Sequence, residues 1–262
     1  MTGTPEVPAP PLDNWEQHWT SFADITSDNP AQAFRRELII QRILRCGSPR
    51  HLLDIGSGQG DLLASLDQGL PASVELAGLE LSTEGIRRSA EKVPRARYFQ
   101  IDLIRAGAAP RSLDGWADVA VCSEVLEHVD EPARLLRAAS TAMQPRALLI
   151  VTVPGGPRSA FDRYIGHRRH FTPHTLKDVL VDAGFDVEHV TGTGFPFFNL
   201  YKLVVLARGN ALVRDAAVDT PTSRLATMAM RLFGRVLRPQ MNASRFGWQL
   251  VAVARRPSDL SS

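Results

Sequence analysis

Three glycines at alternate positions separate a short apolar run from an amphipathic run, and an acid stands on each side of them. The segment reads Asp54-Ile55-Gly56-Ser57-Gly58-Gln59-Gly60-Asp61. This order predicts a strand, a tight turn and a helix. Glycine lets a ligand approach bare backbone, and the free N–H groups at the start of a helix point towards that ligand. The segment therefore predicts a loop that binds a nucleotide-type cofactor.

The glycine spacing distinguishes between kinds of cofactor. A dinucleotide loop has the order G-x-G-x-x-G, and a P-loop has Lys and then Ser or Thr after its last glycine. Here the order is G-x-G-x-G, and Asp61-Leu62 follows Gly60. The carboxylates of Asp54 and Asp61 would repel a pyrophosphate and suit a ligand with an ammonium and a sulfonium. A nicotinamide-dependent oxidoreductase is therefore the weaker alternative.

Acids also follow the next predicted strands. Glu80 follows the run 74–79 and lies 20 residues after Gly60, where a carboxylate can accept hydrogen bonds from two ribose hydroxyls. Asp102 ends the run 97–101, and Glu124 closely follows the run 117–122. A fifth run covers 148–153. Ends of parallel strands meet at one edge of a sheet, so these acids are predicted to share a site. The alternative for a single acid is a helix cap or a solvated turn.

This series resembles motif I and the later motifs of the class I S-adenosylmethionine (SAM) methyltransferases over roughly residues 50–192. The resemblance implies SAM as cosubstrate and an α/β, Rossmann-like fold. That fold has a seven-stranded, mostly parallel sheet with helices on both faces, an N-terminal helical lid and a helical insertion between strands 6 and 7. Asp102 would accept from the adenine amino group, helped by the backbone of Leu103. The donor-binding residues so predicted are Asp54, Gly56, Gly58, Gly60, Glu80, Asp102, Leu103 and Glu124.

Transfer of a methyl group to a hydroxyl is helped by a general base, for which histidine is the usual choice near neutral pH. His167 and His170 lie in the loop after the fifth strand, and His128 follows the fourth. We predict His167 as the base, His170 as the next choice and His128 as a further catalytic candidate. The arginines of this loop suit an anionic acceptor. The alternative is a surface loop in which the histidines only pack.

The spacing E-x-x-E-H at Glu124, Glu127 and His128 resembles two metal-dependent groups, the small-RNA 2′-O-methyltransferases and the ubiquinone-pathway O-methyltransferases. Both groups take a further histidine from downstream, and His167 is its counterpart here. The resemblance implies Mg²⁺, Mn²⁺ or Zn²⁺ at these four residues. The same string also occurs in metal-free members of the superfamily, so the sequence assigns no metal and leaves this divalent metal open.

The elements that position these residues are predicted to form one domain. Residues 1–13 are predicted to be a disordered tail, and residues 14–262 a single methyltransferase domain. Within it, 14–49 are the helical lid, 50–154 the SAM-binding half, and 155–262 the acceptor-side half with an insertion at 194–244. Two helices are predicted in the lid, and the second starts after Asn29-Pro30 with a predicted apolar stripe of Ala33, Phe34, Leu38, Ile39, Ile43 and Leu44. The chain departs from the family at Pro145-Arg146-Ala147, where Pro-Gly-Gly is usual.

Composition and charge limit the kinds of partner and the cellular location that we expect. A net charge of +2 argues against a general nucleic-acid binder. The two cysteines suit a reducing compartment, and no signal peptide or transmembrane run is visible, so we expect a cytoplasmic protein. An amphipathic segment with a basic stripe from Arg224 to Arg238 leaves open a peripheral membrane contact, and a homodimer is also open.

We therefore expect a SAM-dependent methyltransferase that acts on a small molecule or a glycan- or lipid-linked acceptor, with oxygen as the acceptor atom. The alternatives are an N- or C-methyltransferase on the same fold and a non-catalytic SAM-binding protein.

Overall fold

The structure is a computed structural model, and it describes residues 15, 16, 19, 30–217 and 243–258. The strands are β1 (His51–Ile55), β2 (Glu75–Glu80), β3 (Arg97–Gln100), β4 (Ala117–Ser123), β5 (Met143–Pro154), β6 (Asp186–Thr193) and β7 (Gln249–Arg255). They form one sheet in the order β3-β2-β1-β4-β5-β7-β6. Strands β1 to β5 pair in parallel, and β7 is antiparallel to both β5 and β6. The predicted seven-stranded, mostly parallel sheet is confirmed.

Helices connect the strands. They are α1 (Pro30–Cys46), α2 (Asp61–Gly69), α3 (Thr83–Lys92), α4 (Leu103–Ala106), α5 (Pro132–Ser140), α6 (Ala160–Tyr164), α7 (Pro173–Asp182) and α8 (Phe197–Ala217), with single 3₁₀ turns at Arg111–Leu113 and Leu126–His128. The side chains of Ser82, Ser159 and Thr172 cap α3, α6 and α7 by accepting from backbone N–H groups. Gly209 departs from helical geometry inside α8.

The core has two apolar clusters. The first joins α1 and α2 to side chains from β1, β4, β5 and β7, with Ile39, Leu66 and Val251 fully buried. The second joins α5 and α7 to the sheet through residues such as Leu136 and Leu176. Helices therefore cover both faces, as predicted, and leave the ends of the strands as the place for a site.

The apolar stripe predicted for α1 is partly wrong. Leu38, Ile39 and Ile43 are buried, but Ala33 is exposed and Leu44 is 48% exposed. The buried face instead continues from Leu38 and Ile39 to Ala31 and to Arg35, four residues before Ile39. The cause is helical phase, because side chains three or four residues apart lie on one face.

The turn at Pro145-Arg146-Ala147, where the family usually has Pro-Gly-Gly, keeps a backbone conformation that favours glycine. β5 begins at Met143, five residues before the predicted start, and Arg146 within it has φ 64°. A side chain in this left-handed region costs about 1–2 kcal/mol. The backbone N–H of Arg146 donates to the carbonyl of Arg256 at 3.0 Å, and the carbonyl of Arg146 accepts from the guanidinium of Arg255 at 3.1 Å. The segment that follows β7 therefore holds this turn in place.

The remaining predictions concern the N-terminal tail, the basic stripe, the insertion, membrane-spanning helices and the cysteines. The tail 1–13 and the basic stripe from Arg224 to Arg238 lie outside the described residues. The insertion at 194–244 contains α8 in its described part. Within the described residues, no helix combines the length and apolar character needed to cross a membrane. Cys46 is exposed, Cys122 is buried, and both are free thiols.

Leu66→Ala should destabilise the protein by about 2–5 kcal/mol, because it leaves a cavity in the first core cluster. Denaturant unfolding followed by circular dichroism measures this free energy. Leu44→Ala, the same change at a half-exposed position of α1, is the matched control and should cost under about 0.5 kcal/mol. Equal losses in both variants would contradict the placement of Leu66 in the core.

Candidate functional site

The glycine loop joins β1 to α2 at the carboxyl edge of the sheet. Gly56, Gly58 and Gly60 have φ values of 75°, 53° and 82°, and the backbone N–H of Gly56 donates to the carbonyl of Leu79 at 2.8 Å. A Cβ on Gly60 would lie 2.7 Å from the backbone Cα of Ser89, so the loop and α3 can approach only with glycine there. The loop therefore presents bare backbone towards the strand ends.

Glu80 ends β2 beside this loop and is 7% exposed. One carboxylate oxygen accepts from Gly58 N at 2.8 Å, and the other accepts from Ser82 N at 2.9 Å. Burial raises the pKa of Glu80 although these hydrogen bonds act to lower it. The backbone of Leu81 and the side chain of Trp19 also act to lower it.

Asp54 and Asp61, the acids that flank the loop, differ in environment. Asp54 is 1% exposed, and its Oδ2 has no hydrogen-bond partner among the described residues. Burial, together with the charge of Glu80, raises the pKa of Asp54 to about 8. Asp61 instead lies 2.5 Å from the ammonium of Lys92 and accepts from Gln59 at 2.8 Å. Only Asp54 thus keeps a buried oxygen for a cationic ligand.

Asp102 lies at the edge after β3, where its carboxylate caps α4. Its Oδ1 accepts from the backbone N–H groups of Ile104 and Arg105, each at 3.1 Å, and its Oδ2 lies 3.2 Å from the guanidinium of Arg105. Leu103 follows as the first residue of that helix and is buried. The structure therefore gives Asp102 the helix-cap role that was its alternative, at the position predicted for the adenine contact.

Three described residues near the N-terminus lie over this edge. Glu16 accepts from Ser82 Oγ at 3.0 Å and from Thr83 N at 2.6 Å, which adds a second cap to α3. Trp19 lies on the glycine loop, since a Cβ on Gly58 would be 2.6 Å from its ring. The ring of Trp15 packs edge-on against His128 at 4.9 Å between centroids. A lid role for residues 14–49 stays a prediction.

Glu124 follows β4 with φ 57°, a conformation that a side chain rarely adopts. Its backbone N–H donates to the carbonyl of Thr152 at 2.9 Å. Its Oε1 accepts from the amide of Gln249 at 2.9 Å, and its Oε2 lies 3.4 Å from the guanidinium of Arg35. Arg35 also donates to Gln249 Oε1 at 3.2 Å, so the three side chains form one network.

The sequence analysis missed Arg35 and Gln249. A signal for Arg35 existed, because it is the one charged residue on the buried face that runs through Ala31, Leu38 and Ile39. Gln249 begins an otherwise apolar strand and lies beside Pro154 at the carboxyl end of β5. The Nε of Arg35 has no partner among the described residues, so this buried cation keeps a donor for a ligand.

Glu127 is fully buried in the 3₁₀ turn after β4. Neither of its carboxylate oxygens has a hydrogen-bond partner among the described residues. Burial, and secondly the charge of Glu124, raises the pKa of Glu127 well above its usual range. Its Oε1 lies 4.0 Å from Nε2 of His167. A buried carboxyl group without a hydrogen-bond partner is a candidate contact for a ligand.

The structure brings together the three histidines predicted to be catalytic. The rings of His128 and His167 meet edge-on at 4.7 Å, and those of His167 and His170 lie 5.4 Å apart. His167 Nδ1 is 3.2 Å from His170 Nε2. Burial, and secondly His128, lowers the pKa of His167 well below its usual value. His167 is therefore a neutral imidazole that can accept a proton.

The loop arginines brace the loop. Arg158 donates to the carbonyl of His167 at 3.0 Å, and Arg169 donates to the carbonyl of Asp130 at 3.0 Å. Arg168 pairs with the carboxylate of Asp130. These contacts hold the loop together, and the anionic acceptor stays a prediction.

Two sets of side chains in the described part could hold a divalent ion. One ligand atom from each of Glu127, His128 and His167 lies within 4.8 Å of the others, and the same is true of Asp162, His167 and His170. Glu124, predicted as a fourth ligand, belongs to neither set. Its two oxygens are directed instead to Gln249 and Arg35.

Several known proteins are similar to this chain in sequence or in fold. A family model described as a methyltransferase domain matches residues 31–190. A ubiquinone biosynthesis O-methyltransferase of Marinobacter nauticus is 28% identical over 217 residues, which cover 72% of this chain and 84% of that protein. A probable S-adenosylmethionine-dependent methyltransferase of Mycolicibacterium smegmatis is 26% identical over 200 residues, covering 71% and 72%.

Among solved structures, the cyclase SpnF has a TM-score of 0.64 at 17% identity, covering 97% of this chain and 99% of that one. At this identity the likeness concerns the fold alone. The family model, by contrast, spans more than half of the chain and the whole glycine loop, Glu80 and the Glu124-to-His128 string. The chain thus belongs to the methyltransferase domain family and is a class I SAM-dependent methyltransferase.

Proposed function

We propose that this enzyme transfers the methyl group of SAM to an oxygen of a small-molecule acceptor, with His167 as general base. The observation that carries the proposal is the cluster of Glu127, His128 and His167, in which one ligand atom from each lies within 4.8 Å of the others. Glu127 is 0% exposed there, and its oxygens have no partner within the described part of the chain. A hydroxyl bound beside Glu127 would supply the missing hydrogen bond.

The donor side fits SAM in its chemistry. When bound, SAM supplies a methyl group that its sulfonium makes electrophilic. The unpartnered Oδ2 of Asp54 suits the positive charge of the donor, which would return this carboxyl to its ionised form. Glu80, at the end of β2 beside the glycine loop, is the acceptor that we assign to the ribose hydroxyls. We assign the donor site to Asp54, Gly56, Gly58, Gly60, Glu80, Asp102, Leu103 and Glu124.

Arg35 completes the donor side in this proposal. Its guanidinium is buried beside Glu124, and its Nε lacks a partner among the residues described. A guanidinium offers two parallel donors to a carboxylate. The carboxylate of the methionyl part of SAM is the group that this chemistry fits. Glu124 and Gln249 hold Arg35 in position for that contact.

On the acceptor side, the burial that lowers the pKa of His167 keeps the imidazole unprotonated. A neutral imidazole can take the hydroxyl proton as the oxygen attacks the methyl group. The same burial keeps water away from the reacting atoms, which protects the donor from hydrolysis. Burial of this site is therefore part of the chemistry.

The choice of oxygen is supported by the relative from Marinobacter nauticus, which is named for O-methylation in ubiquinone biosynthesis. N- or C-methylation on the same scaffold is the alternative. A lipid-linked acceptor is supported by α8, where Leu200, Leu203 and Val204 are about half exposed. A peripheral membrane contact or a homodimer through this face, and a cytoplasmic location, are further proposals.

Glu80→Gln should weaken binding of S-adenosylhomocysteine by about 10- to 100-fold, because one acceptor for the ribose hydroxyls and its charge are lost. Isothermal titration calorimetry measures the change without any acceptor. Glu75→Gln, at the exposed start of the same strand, is the control and should bind as the wild type does. Unchanged binding in Glu80→Gln would remove Glu80 from the donor site.

His167→Gln should lower methyl transfer by about 10²- to 10⁴-fold while binding of S-adenosylhomocysteine is retained, since only the base is lost. Transfer of labelled methyl from SAM into a cell extract, divided into lipid and aqueous fractions, measures the effect and reports the acceptor class. His174→Gln, on an 85% exposed side chain of α7, is the matched control. Full activity of His167→Gln would contradict the assignment.

Treatment with a chelator should leave methyl transfer unchanged. Glu124 is engaged by Gln249 and Arg35, and the positive charges of Arg35 and Lys202 act on Glu127, which disfavours a divalent cation there. The labelled-methyl assay after dialysis against EDTA tests this. Loss of activity that Mg²⁺, Mn²⁺ or Zn²⁺ restores would instead assign the cation to Glu127, His128 and His167.

A further inference from the structure

Lys202 lies on α8, and α8 packs against α6, the short helix that carries Asp162. The side chain of Lys202 is 10% exposed, and its Nζ lies 3.0 and 3.2 Å from the two carboxylate oxygens of Asp162. This ion pair connects the insertion after β6 to the loop that carries His167 and His170. A buried pair of this kind needs a reason, because burial of both charges is costly.

The Oδ2 oxygen of Asp162, the one nearer to His170, already has three donors. It accepts from the backbone N–H and the hydroxyl of Ser159 at 2.7 and 2.8 Å, besides Lys202. Burial acts to raise the pKa of Asp162, but Lys202 and Ser159 hold it below the usual value, so the group is a carboxylate. The 3.7 Å between Asp162 Oδ2 and His170 Nε2 is too long for a hydrogen bond.

The hydrogen positions on the two imidazoles follow from their neighbours. His170 Nδ1 lies 3.1 Å from the carbonyl oxygen of Gly156, which can only accept, so this nitrogen carries the hydrogen. In a neutral ring, His170 Nε2 then has a lone pair. That nitrogen is 3.2 Å from His167 Nδ1, which must therefore donate. The lone pair of His167 is left on Nε2, the atom that lies 4.0 Å from Glu127.

We propose that Lys202, Asp162 and His170 act as positioning residues that fix the tautomer of His167 with its Nε2 lone pair on the side of the Glu127 carboxyl group. Lys202 pairs with Asp162 and neutralises its charge. His170 Nε2 therefore accepts a hydrogen bond from His167 and does not donate one to Asp162. The inference about the tautomer stands on these contacts. Its consequence for methyl transfer rests on the proposed function.

Nitrogen-15 spectra of protein labelled in its histidine rings test the proposal at pH 8, and the His167→Gln variant identifies the signals of His167. In the wild type we expect a hydrogen on His167 Nδ1 and none on Nε2. Lys202→Met and His170→Leu should shift these signals towards the opposite tautomer. Lys202→Arg and His170→Gln, which keep the cation and the acceptor, should preserve the wild-type pattern.

Lys177→Met, on an exposed position of α7, is the control for loss of a lysine and should leave the spectrum unchanged. Binding of S-adenosylhomocysteine within twofold of the wild type shows that each variant is folded. In the labelled-methyl assay, kcat should fall on the order of 10- to 1,000-fold in Lys202→Met and His170→Leu, because the base carries its hydrogen on the wrong nitrogen.

A hydrogen on His167 Nε2 in the wild type would overturn the proposal, as would an unchanged tautomer in both Lys202→Met and His170→Leu. If the tautomer changes as expected but both variants keep full methyl transfer, the positioning role stands. In that case the assignment of His167 as base is the part that fails.

Discussion

A polar side chain removed from water has to find a partner, and the carboxyl edge of this sheet is organised around that constraint. Most buried charges there are satisfied within the protein. Arg35 contacts both Glu124 and Gln249, and Lys202 forms an ion pair with Asp162. Two carboxyl groups, Asp54 beside the glycine loop and Glu127 beside the histidines, keep oxygens without a partner in the described part of the chain. In the proposed function they contact the donor and the acceptor.

The topology explains why these groups meet. Parallel strands β1, β2, β4 and β5 all end at this edge, and the antiparallel β7 begins there. The first residue of β7 therefore stands beside the last residue of β5, which places Gln249 within reach of Glu124. Polar residues far apart in the chain share one edge because strand direction, and not sequence distance, decides where they lie.

Much of the fold followed from local pattern. The existence of the strands and of the glycine loop depends on short-range periodicity and on an acid at a set spacing, both of which are visible in one sequence. The contacts of the acceptor side were not visible. That Arg35 faces inward depends on the helical phase of α1, and that Lys202 meets Asp162 depends on how α8 packs on α6. The histidines were found by type, but the tautomer of His167 depends on the carbonyl of Gly156, which has no sequence signature.

The position of β7 has a consequence for synthesis. This strand is made last, yet it pairs with β5 on one side and β6 on the other. Once α8 has been synthesised, β1 to β4 and the glycine loop can already have formed. The backbone edge of β5 still lacks its neighbour, β7. Unpaired strand edges are where nascent chains associate wrongly. The glycine loop and its strands can thus form early on the ribosome, whereas the edge of β5 is covered only when residues 249–255 arrive.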